Sequence, residues 1–457
     1  MKLSFHGGAR VVTGACHLLE TADANILIDC GLFQGSRECE DANFEPFGFL
    51  PADIDAVIIT HAHIDHIGRL PKLVREGFRG DIFSTAATRD LAEALLEDAL
   101  HITERAAHDG RAAPASGGRE REALYGAEDV RLAMAHWHAL PYHETHTIKD
   151  IAFALNDAGH ILGSAMVEVR VEGKRLLFTG DLGNIPSVLL PPPDGVVGVE
   201  YLIMESAYGT RTHEAPEERT LKLERAVEDA AARRGTLLIP AFATERTQDI
   251  LFLLNEMAHQ KRIPEMPIFI DSPLAIRITE VYERYPAAYK EEIRALFREH
   301  PNLFRARKLR FTPSVEESKA INNVMPPKVI IAGSGMMAGG RILHHARRYL
   351  SDPDSILLIA GYQAAGSLGR KLIEGGKTVR ILGEEIAVRA EIRKINGFSA
   401  HADNPQLYAF VEAQRDTLKH VFVVQGEEEQ AQGLAQQIAD RLGVPAVAPI
   451  QGQVFEI

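Results

Sequence analysis

The chain has 457 residues, which at roughly 150 residues per domain is enough for two or three folding units. Its hydrophobic fraction of 46% and charged fraction of 25% are typical of a soluble globular protein. No apolar run reaches the roughly 18 residues that a membrane helix needs, so we expect no membrane partner. The net charge of −13 argues against non-specific adhesion to nucleic acid, although it leaves room for a locally basic cleft. The three cysteines lack C-x-x-C spacing and the first residues lack a signal-peptide core, which favours a reducing cytoplasm.

The first part of the chain alternates short apolar runs with turn signals. Buried strands with polar residues at their ends are predicted at residues 26–29, 56–60, 176–179 and 201–204. Residues 88–103 show the apolar spacing of a helix. The Gly- and Arg-containing segment 106–121 predicts an exposed, mobile loop.

From about residue 220 the pattern changes to helices that alternate with strands. Helices are predicted at 221–233 and 248–260, and strands at 236–240, 267–270, 329–332 and 356–360. This alternation indicates a second α/β unit with a parallel sheet. Near the end, residues 419–425 are predicted to form another strand, followed by a helix.

A cluster of residues that commonly bind metals follows the predicted strand 56–60. It is the run H-A-H-I-D-H at residues 61–66. Three His and one Asp on a strand-to-helix turn can converge on one point, and imidazoles and carboxylates suit zinc. His160 and Asp181 lie at two further strand ends. The combination predicts a metal centre.

Other histidines are weaker candidates for ligands. A polar connecting region contains His136, His138, His143 and His146, and a predicted helix contains His344 and His345. Surface or packing roles are favoured over a further metal site in both places.

The order of Asp29, the H-x-H-x-D-H cluster, His160 and Asp181 resembles the metallo-β-lactamase superfamily. The resemblance implies an αββα sandwich with two Zn²⁺ ions, and Mn²⁺ is an alternative metal. By this resemblance one metal is held by His61, His63 and His160, the second by Asp65 and His66, Asp181 bridges the two, and Asp29 braces the metal loops. Two metals close together activate a water and clamp both oxygens of an in-line displacement at phosphorus.

Later motifs resemble the β-CASP subgroup, the nucleic-acid-processing branch of that superfamily. They are MESAYG at 204–209, PAFA at 240–243 with RTQ at 246–248, DSPLA at 271–275, GSGMM at 333–337, GYQ at 361–363 and FSAHAD at 398–403. The resemblance covers nearly the whole chain and includes the cleavage subunit of mRNA 3′-end processing and prokaryotic RNases. It implies an inserted β-CASP α/β domain at 209–394, with a metallo-β-lactamase domain formed by 1–208 and the C-terminal return 395–457.

Glu205 and His401 match the family's motifs A and B. A carboxylate can hold an imidazole protonated and oriented, so His401 is expected to act as general acid. Asp65 is the third predicted catalytic residue.

Phosphate contacts are expected from Arg246 and from the Gly-rich turn that contains Ser334 and Gly335. Here the sequence departs from the family, because Thr244 and Glu245 stand where a small pair is usual before the Arg.

Motif C is the clearest departure. The strand at 421–424 leads into Gln425, where the family normally has a His that ligates the second metal. A neutral amide oxygen is a poorer partner for zinc than an imidazole. We therefore expect one tightly held metal and a second that is weak or absent; the alternative is that Gln425 serves as a tolerated ligand.

The expected function is a metal-dependent ribonuclease that cleaves single-stranded RNA endonucleolytically, with 5′→3′ exonuclease activity as a second mode. RNA rather than DNA rests on the resemblance alone, and we expect no additional RNA-binding module. The alternatives are a hydrolase of small esters or thioesters, a DNA nuclease of the same fold, and a catalytically impaired homologue that binds RNA or a partner protein. A homodimer is compatible with the sequence.

Overall fold

The computed structural model describes residues 1–108, 123–305, 308–361, 363 and 366–457, without the side chains of 103–108. These residues form two compact units. Unit 1 contains Met1–Ser187, Pro192–Thr212 and His401–Ile457, and unit 2 contains Val188–Pro191 and His213–Ala400. From residue 109 onward the predicted mobile loop lies outside the described residues.

Unit 1 contains two seven-stranded sheets. The first consists of β1 (Lys2–Gly7), β2 (Cys16–Glu20), β3 (Asn25–Ile28), β4 (Ala56–Ile58), β5 (Asp81–Ser84), β6 (Trp137–Ala139) and β22 (Val454–Glu456). The second consists of β7 (Thr145–Ile148), β8 (Ile151–Asp157), β9 (Ala165–Val171), β10 (Lys174–Phe178), β11 (Tyr201–Glu205), β20 (His420–Val424) and β21 (Ala446–Val447). Their strand orders are β22-β1-β2-β3-β4-β5-β6 and β21-β20-β11-β10-β9-β8-β7.

The core of unit 1 lies between these sheets. It includes Leu3, Phe5, Ile26, Phe153, Val167, Phe178 and Phe422, each at most 1% exposed. The helices of this unit are α1 (Arg37–Ala42), α2 (Ile64–Ile67), α3 (Leu70–Arg75), α4 (Ala86–His108), α5 (Ala127–Ala135), α13 (Asn404–Glu412) and α14 (Glu428–Leu442). Since α4 contacts β6 while α14 contacts β20 and β21, each sheet carries a helical layer, and the predicted αββα sandwich is confirmed. The helix predicted at 88–103 covers Ala86–His108, so residues 106–108 of the expected loop are helical.

Unit 2 is built on a six-stranded sheet in the order β14-β13-β15-β12-β16-β19. Its strands are β12 (Thr236–Pro240), β13 (Ile268–Ile270), β14 (Leu309–Phe311), β15 (Lys328–Ala332), β16 (Ile356–Ala360) and β19 (Glu391–Ile395), and β17 (Thr378–Ile381) pairs with β18 (Glu384–Ala387) as a hairpin. Its helices are α6 (Pro216–Arg233), α7 (Arg246–His259), α8 (Pro273–Arg284), α9 (Glu291–Glu299), α10 (Val315–Ala320), α11 (Ile342–Tyr349) and α12 (Leu368–Ile373). Every pairing in the six-stranded sheet is parallel, as the helix–strand alternation predicts. The strands β12, β15 and β16 are buried at every position, as expected for a sheet covered on both faces.

No helix in the described part of the chain has both the length and the apolar character that crossing a bilayer requires.

Backbone hydrogen bonds join the loop after β3 to the segment that contains α2. The amide of Cys30 donates to the carbonyl of His66 at 2.8 Å, and that of Leu32 donates to Ile64 at 3.0 Å. Between them the backbones approach so closely that a Cβ on Gly31 would lie 1.5 Å from the carbonyl oxygen of Asp65. The conformation of residues 61–66 therefore depends on the absence of a side chain at position 31.

We expect Gly31→Ala to destabilise unit 1 by at least about 1–3 kcal/mol, the usual cost of inserting atoms into a well-packed region. The matched control is Gly195→Ala, because a Cβ at Gly195 would meet no atom within 4 Å. The unfolding midpoint of each variant is measured by urea denaturation, with circular dichroism as the signal. Equal midpoints for the two would show that the close approach of Gly31 does not constrain the loop.

Candidate metal centre

The hydroxyl of Thr60, which lies two residues after the end of β4, determines how His61 presents its ring. Thr60 Oγ1 donates to Asp29 Oδ2 at 2.8 Å and lies 3.1 Å from His61 Nδ1. Since that hydroxyl proton is already directed at Asp29, Oγ1 accepts from Nδ1–H, and the lone pair of His61 Nε2 faces the opposite way. Thr60 is not among the residues predicted for the site from the sequence, although a polar residue at a strand end beside the cluster is a usable signal.

Four side chains bring one ligand atom each to a common point: His61, His63, His160 and Asp181. His63 Nδ1 lies 3.0 Å from His61 Nε2 and 3.3 Å from His160 Nε2. Asp181 Oδ2 lies 3.4 Å from His61 Nε2 and 3.5 Å from His160 Nε2. These separations resemble the edges of about 3.3 Å in a tetrahedron whose centre is about 2.0–2.1 Å from each ligand atom.

Protons on the imidazole rings do not satisfy these four ligand atoms. Each ring proton can be shared with only one or two neighbouring atoms, so the lone pairs of the other ligand atoms still face one another. Burial lowers the pKa of His61, and lowers those of His63 and His160 well below the usual value. Neutral imidazoles beside a carboxylate are the form in which these groups bind a divalent metal. The donor set therefore fits a metal ion.

The loops that carry His160 and Asp181 pack directly on one another. The amide of Gly183 donates to the carbonyl of Ala158 at 2.8 Å, and a Cβ on Gly183 would lie 2.0 Å from the carbonyl oxygen of Gly159. This contact holds the two ligand loops at a fixed separation.

A carboxylate–imidazole pair lies beside the four-residue group. His401 Nδ1 lies 3.2 Å from both carboxylate oxygens of Glu205. Glu205 is fully buried and accepts the amides of Leu182 at 2.7 Å and Ala207 at 3.3 Å. Burial opposes protonation of His401, but the charges of Glu205 and Asp181 outweigh it and raise its pKa to about 9. The His401 ring centre is 4.6 Å from that of His160.

The residues expected at a second metal are arranged differently. His66 Nδ1 lies 2.7 Å from Asp29 Oδ2, and His66 Nε2 lies 3.5 Å from Asp181 Oδ1 and 2.8 Å from the amide nitrogen of Gln425. Among the described residues, two sets of possible ligand atoms converge within 4.8 Å: the four-residue group, and the trio Asp181, Glu205 and His401. Asp65 belongs to neither set. Burial lowers the pKa of His66, but Asp181 and Asp29 outweigh it and raise the pKa well above its usual value. The side-chain N–H of Gln425 that points at His66 Nε2 acts against this increase in pKa, because it favours a ring that is protonated on Nδ1 alone.

Three family models match the chain. They describe the metallo-beta-lactamase superfamily over residues 9–82, the Beta-Casp domain over 247–372, and the Zn-dependent metallo-hydrolase RNA specificity domain over 385–449. Curated relatives match over nearly its full length, including Ribonuclease TTHA0252 of Thermus thermophilus, which is 40% identical over 96% of each chain. This chain belongs to the β-CASP branch of the metallo-β-lactamase superfamily.

Other relatives extend this comparison. The RNase J-like protein of Methanocaldococcus jannaschii is 31% identical over 100% of this chain and 99% of its own length. Transcription termination factor FttA of the same organism is 33% identical over 94% of this chain and 67% of its own length. A crystal structure of a protein of unknown function from Enterococcus faecalis V583 shares the fold, with a TM-score of 0.53 and 12% identity over 99% of each chain.

Within unit 2, Arg246 is largely enclosed. Its Nη1 donates to the carbonyl of Ala360, and its guanidinium lies 5.8 Å from the ring centre of Phe398. The unexpected carboxylate beside it, Glu245, is buried and accepts the hydroxyl of Tyr282 at 2.5 Å. The charge that the sequence analysis regarded as a departure therefore has a packing partner inside unit 2.

The Gly-rich turn of unit 2 forms hydrogen bonds within itself. The amide of Ser334 donates to the carbonyl of Gly339 at 3.2 Å, and the Ser334 hydroxyl accepts the amides of Ala338 and Gly339. The carbonyl of Gly335 accepts the side chain of Gln363 at 2.9 Å. A phosphate contact by this turn stays a prediction.

Two of the histidines expected in a polar connecting region lie on strands instead. His138 lies on β6 and pairs with Asp81 at 3.0 Å, and His146 lies on β7. Their short strands, of 3 and 4 residues, give too little alternation to be recognised in the sequence. In α11, His345 is buried and lies 2.7 Å from a carboxylate oxygen of Asp271.

We expect His160→Ala to weaken binding of the tight metal by more than the 10–100-fold that loss of an outer hydrogen-bond partner typically costs. His138→Ala is the matched control, because this imidazole pairs with Asp81 away from the four-residue group. Metal content is measured by mass spectrometry after dialysis against a chelating resin. Equal metal in both variants would remove His160 from the ligand set.

Proposed function

We propose that this protein is a metal-dependent ribonuclease that hydrolyses phosphodiester bonds of single-stranded RNA, acting as an endonuclease with 5′→3′ exonuclease activity as a second mode. The observation that carries the proposal is the Glu205–His401 pair, with 3.2 Å contacts, beside the four converging ligand atoms. Further support comes from the relatives named as ribonuclease and RNase J-like protein, which align over nearly all of this chain.

In this proposal His61, His63, His160 and Asp181 hold a Zn²⁺ ion. When bound, the ion supplies Lewis acidity and lowers the pKa of a water so that it can attack phosphorus. Thr60 keeps His61 in the tautomer that directs Nε2 to the metal, and Asp29 braces both Thr60 and His66. Mn²⁺ is an alternative occupant.

His401 is proposed as the general acid. Because Nδ1 faces Glu205, the proton available to a substrate is the one on Nε2. Glu205 holds the imidazole protonated and oriented, and the backbone amides of Leu182 and Ala207 hold Glu205 in turn. Protonation of the leaving oxygen by a positioned group contributes about 10²–10⁴-fold to such reactions.

Several finer assignments belong to the same proposal. Asp65 is assigned to the catalytic centre, and phosphate contacts to Arg246, Ser334 and Gly335. The domain boundaries are placed after residues 208 and 394, close to the changes of compact unit at 212/213 and 400/401. The proposal also includes a cytoplasmic location and a homodimeric state for the protein.

One observation favours a second candidate, a catalytically impaired homologue that binds RNA. Gln425 stands beside His66 and Asp181 where a His ligand is expected, so the centre differs from that of a two-metal enzyme.

The deciding experiment is incubation of purified protein with 5′- and 3′-labelled RNA and with DNA of the same sequence, in Zn²⁺, in Mn²⁺ and in chelator. We expect metal-dependent cleavage of RNA, and the two labels distinguish internal from terminal cuts. Retardation of RNA on a native gel without any cleavage would support the impaired homologue. Cleavage of DNA alone would make the protein a DNA nuclease.

We expect His401→Ala to slow RNA cleavage by about 10²–10⁴ while the tight metal is retained, because a general acid is lost and no ligand is. His143→Ala is the control, since this exposed imidazole pairs with Asp194 at 2.7 Å. Single-turnover cleavage and metal content are measured on the same preparations. Loss of metal from His401→Ala would make His401 a ligand instead.

A further inference from the structure

The position of Gln425 is set by its backbone. It follows β20 with a positive φ of 50°, and its amide donates to the carbonyl of Gly8 at 2.6 Å. The side chain is 3% exposed and is directed into the centre of unit 1. Its Cγ packs against Gly8, where a Cβ would lie only 3.1 Å from it.

The carboxamide of Gln425 bridges two groups that a second metal would need. Its Nε2 lies 2.8 Å from His66 Nε2 and 2.9 Å from Asp181 Oδ1. A carboxylate oxygen at 2.9 Å repels an amide oxygen and attracts an amide N–H, so the nitrogen is the atom that faces Asp181. The NH₂ group has two hydrogens, one for each acceptor.

The two oxygens of Asp181 consequently have different partners. Oδ2 faces His61 and His160 at 3.4 and 3.5 Å, within the four-residue group. Oδ1 accepts the Gln425 amide and lies 3.5 Å from His66 Nε2. A cation shared by Oδ1 and His66 Nε2 would occupy the space that the amide hydrogens now fill.

We propose that the Gln425 carboxamide takes the place of the second cation, so that the centre binds one metal and Gln425 acts as a positioning residue for Asp181. The proposal rests on the proposed metal centre, but it differs from a centre in which Gln425 is a weak ligand. A weak ligand binds the second metal through its oxygen, and its removal affects only that metal. Here the nitrogen donates, and its removal releases Asp181 and weakens the first metal.

The first test is metal stoichiometry after loading with Zn²⁺ and dialysis, which requires no activity. We expect one equivalent for the parent and two for Gln425→His, because an imidazole lone pair would replace the donor hydrogens with a ligand. The matched control is Gln436→His, which adds an imidazole to the exposed face of α14 and should retain one equivalent. Two equivalents in the parent, or one in Gln425→His, would overturn the proposal.

The second test is the affinity of the tight metal in Gln425→Leu, which keeps similar volume but offers no hydrogen. We expect Zn²⁺ to bind about 10–100-fold more weakly in competition with a chromophoric chelator, the usual effect of losing a hydrogen-bond partner of a ligand. Gln425→Asn, whose side chain is too short to span both acceptors, should also bind Zn²⁺ more weakly. This variant replaces Gln425→Leu in the measurement if the Leu variant does not fold. An unchanged affinity in a folded variant contradicts the positioning role.

These outcomes separate the two proposals. RNA cleavage by a parent that holds two equivalents would refute the role of Gln425 and leave the ribonuclease intact. A parent that holds no metal would overturn both.

Discussion

Three imidazole lone pairs and one carboxylate oxygen face a common point inside unit 1, at separations of 3.0–3.5 Å. Such an arrangement is unfavourable in a buried pocket unless a positive charge lies between the groups. Backbone contacts between the surrounding loops hold the residues that carry these atoms. A divalent metal would therefore stabilise the folded sandwich when it binds.

Asp181 connects this group to the rest of the centre. One oxygen faces the imidazoles, the other accepts the Gln425 amide, and His401 lies 3.8 Å from the first of them. Any change that rotates this carboxylate therefore alters the metal group and the environment of the acid at the same time. The amides of Leu182 and Ala207 hold Glu205, the carboxylate partner of this acid.

Much of this architecture was predictable, because residues of metal-ligand type follow buried strands. The run 61–66 follows β4 of one sheet, whereas His160 and Asp181 follow β8 and β10 of the other. The parallel sheet of unit 2 was predictable from its helix–strand alternation. What could not be predicted depends on atoms rather than residue types. The tautomer that Thr60 imposes and the direction of the Gln425 amide follow from three-dimensional placement, which has no periodic signature in the sequence.

Charged residues depend on partners that are distant in the sequence. Glu245 departs from the small pair that the family usually has before the Arg, and a buried carboxylate needs a hydrogen-bond partner. In the structure it is enclosed and bonded to Tyr282, a residue 37 positions away whose proximity no local pattern indicates. The same limit applies to Arg246, whose carbonyl and aromatic partners come from other elements of unit 2.

The placement of β20 between β11 and β21 has a consequence for the order of folding. His66 and its partner Gln425 are separated by 359 positions, and all of unit 2 is synthesised in between. Until β20 emerges from the ribosome, β11 has an unpaired edge, and an open strand edge is prone to pair with other chains. Contacts this distant in sequence also close slowly. The nascent chain thus carries an incomplete centre and an exposed strand while residues 206–424 are synthesised, and it is in this interval that chaperones would protect it from aggregation.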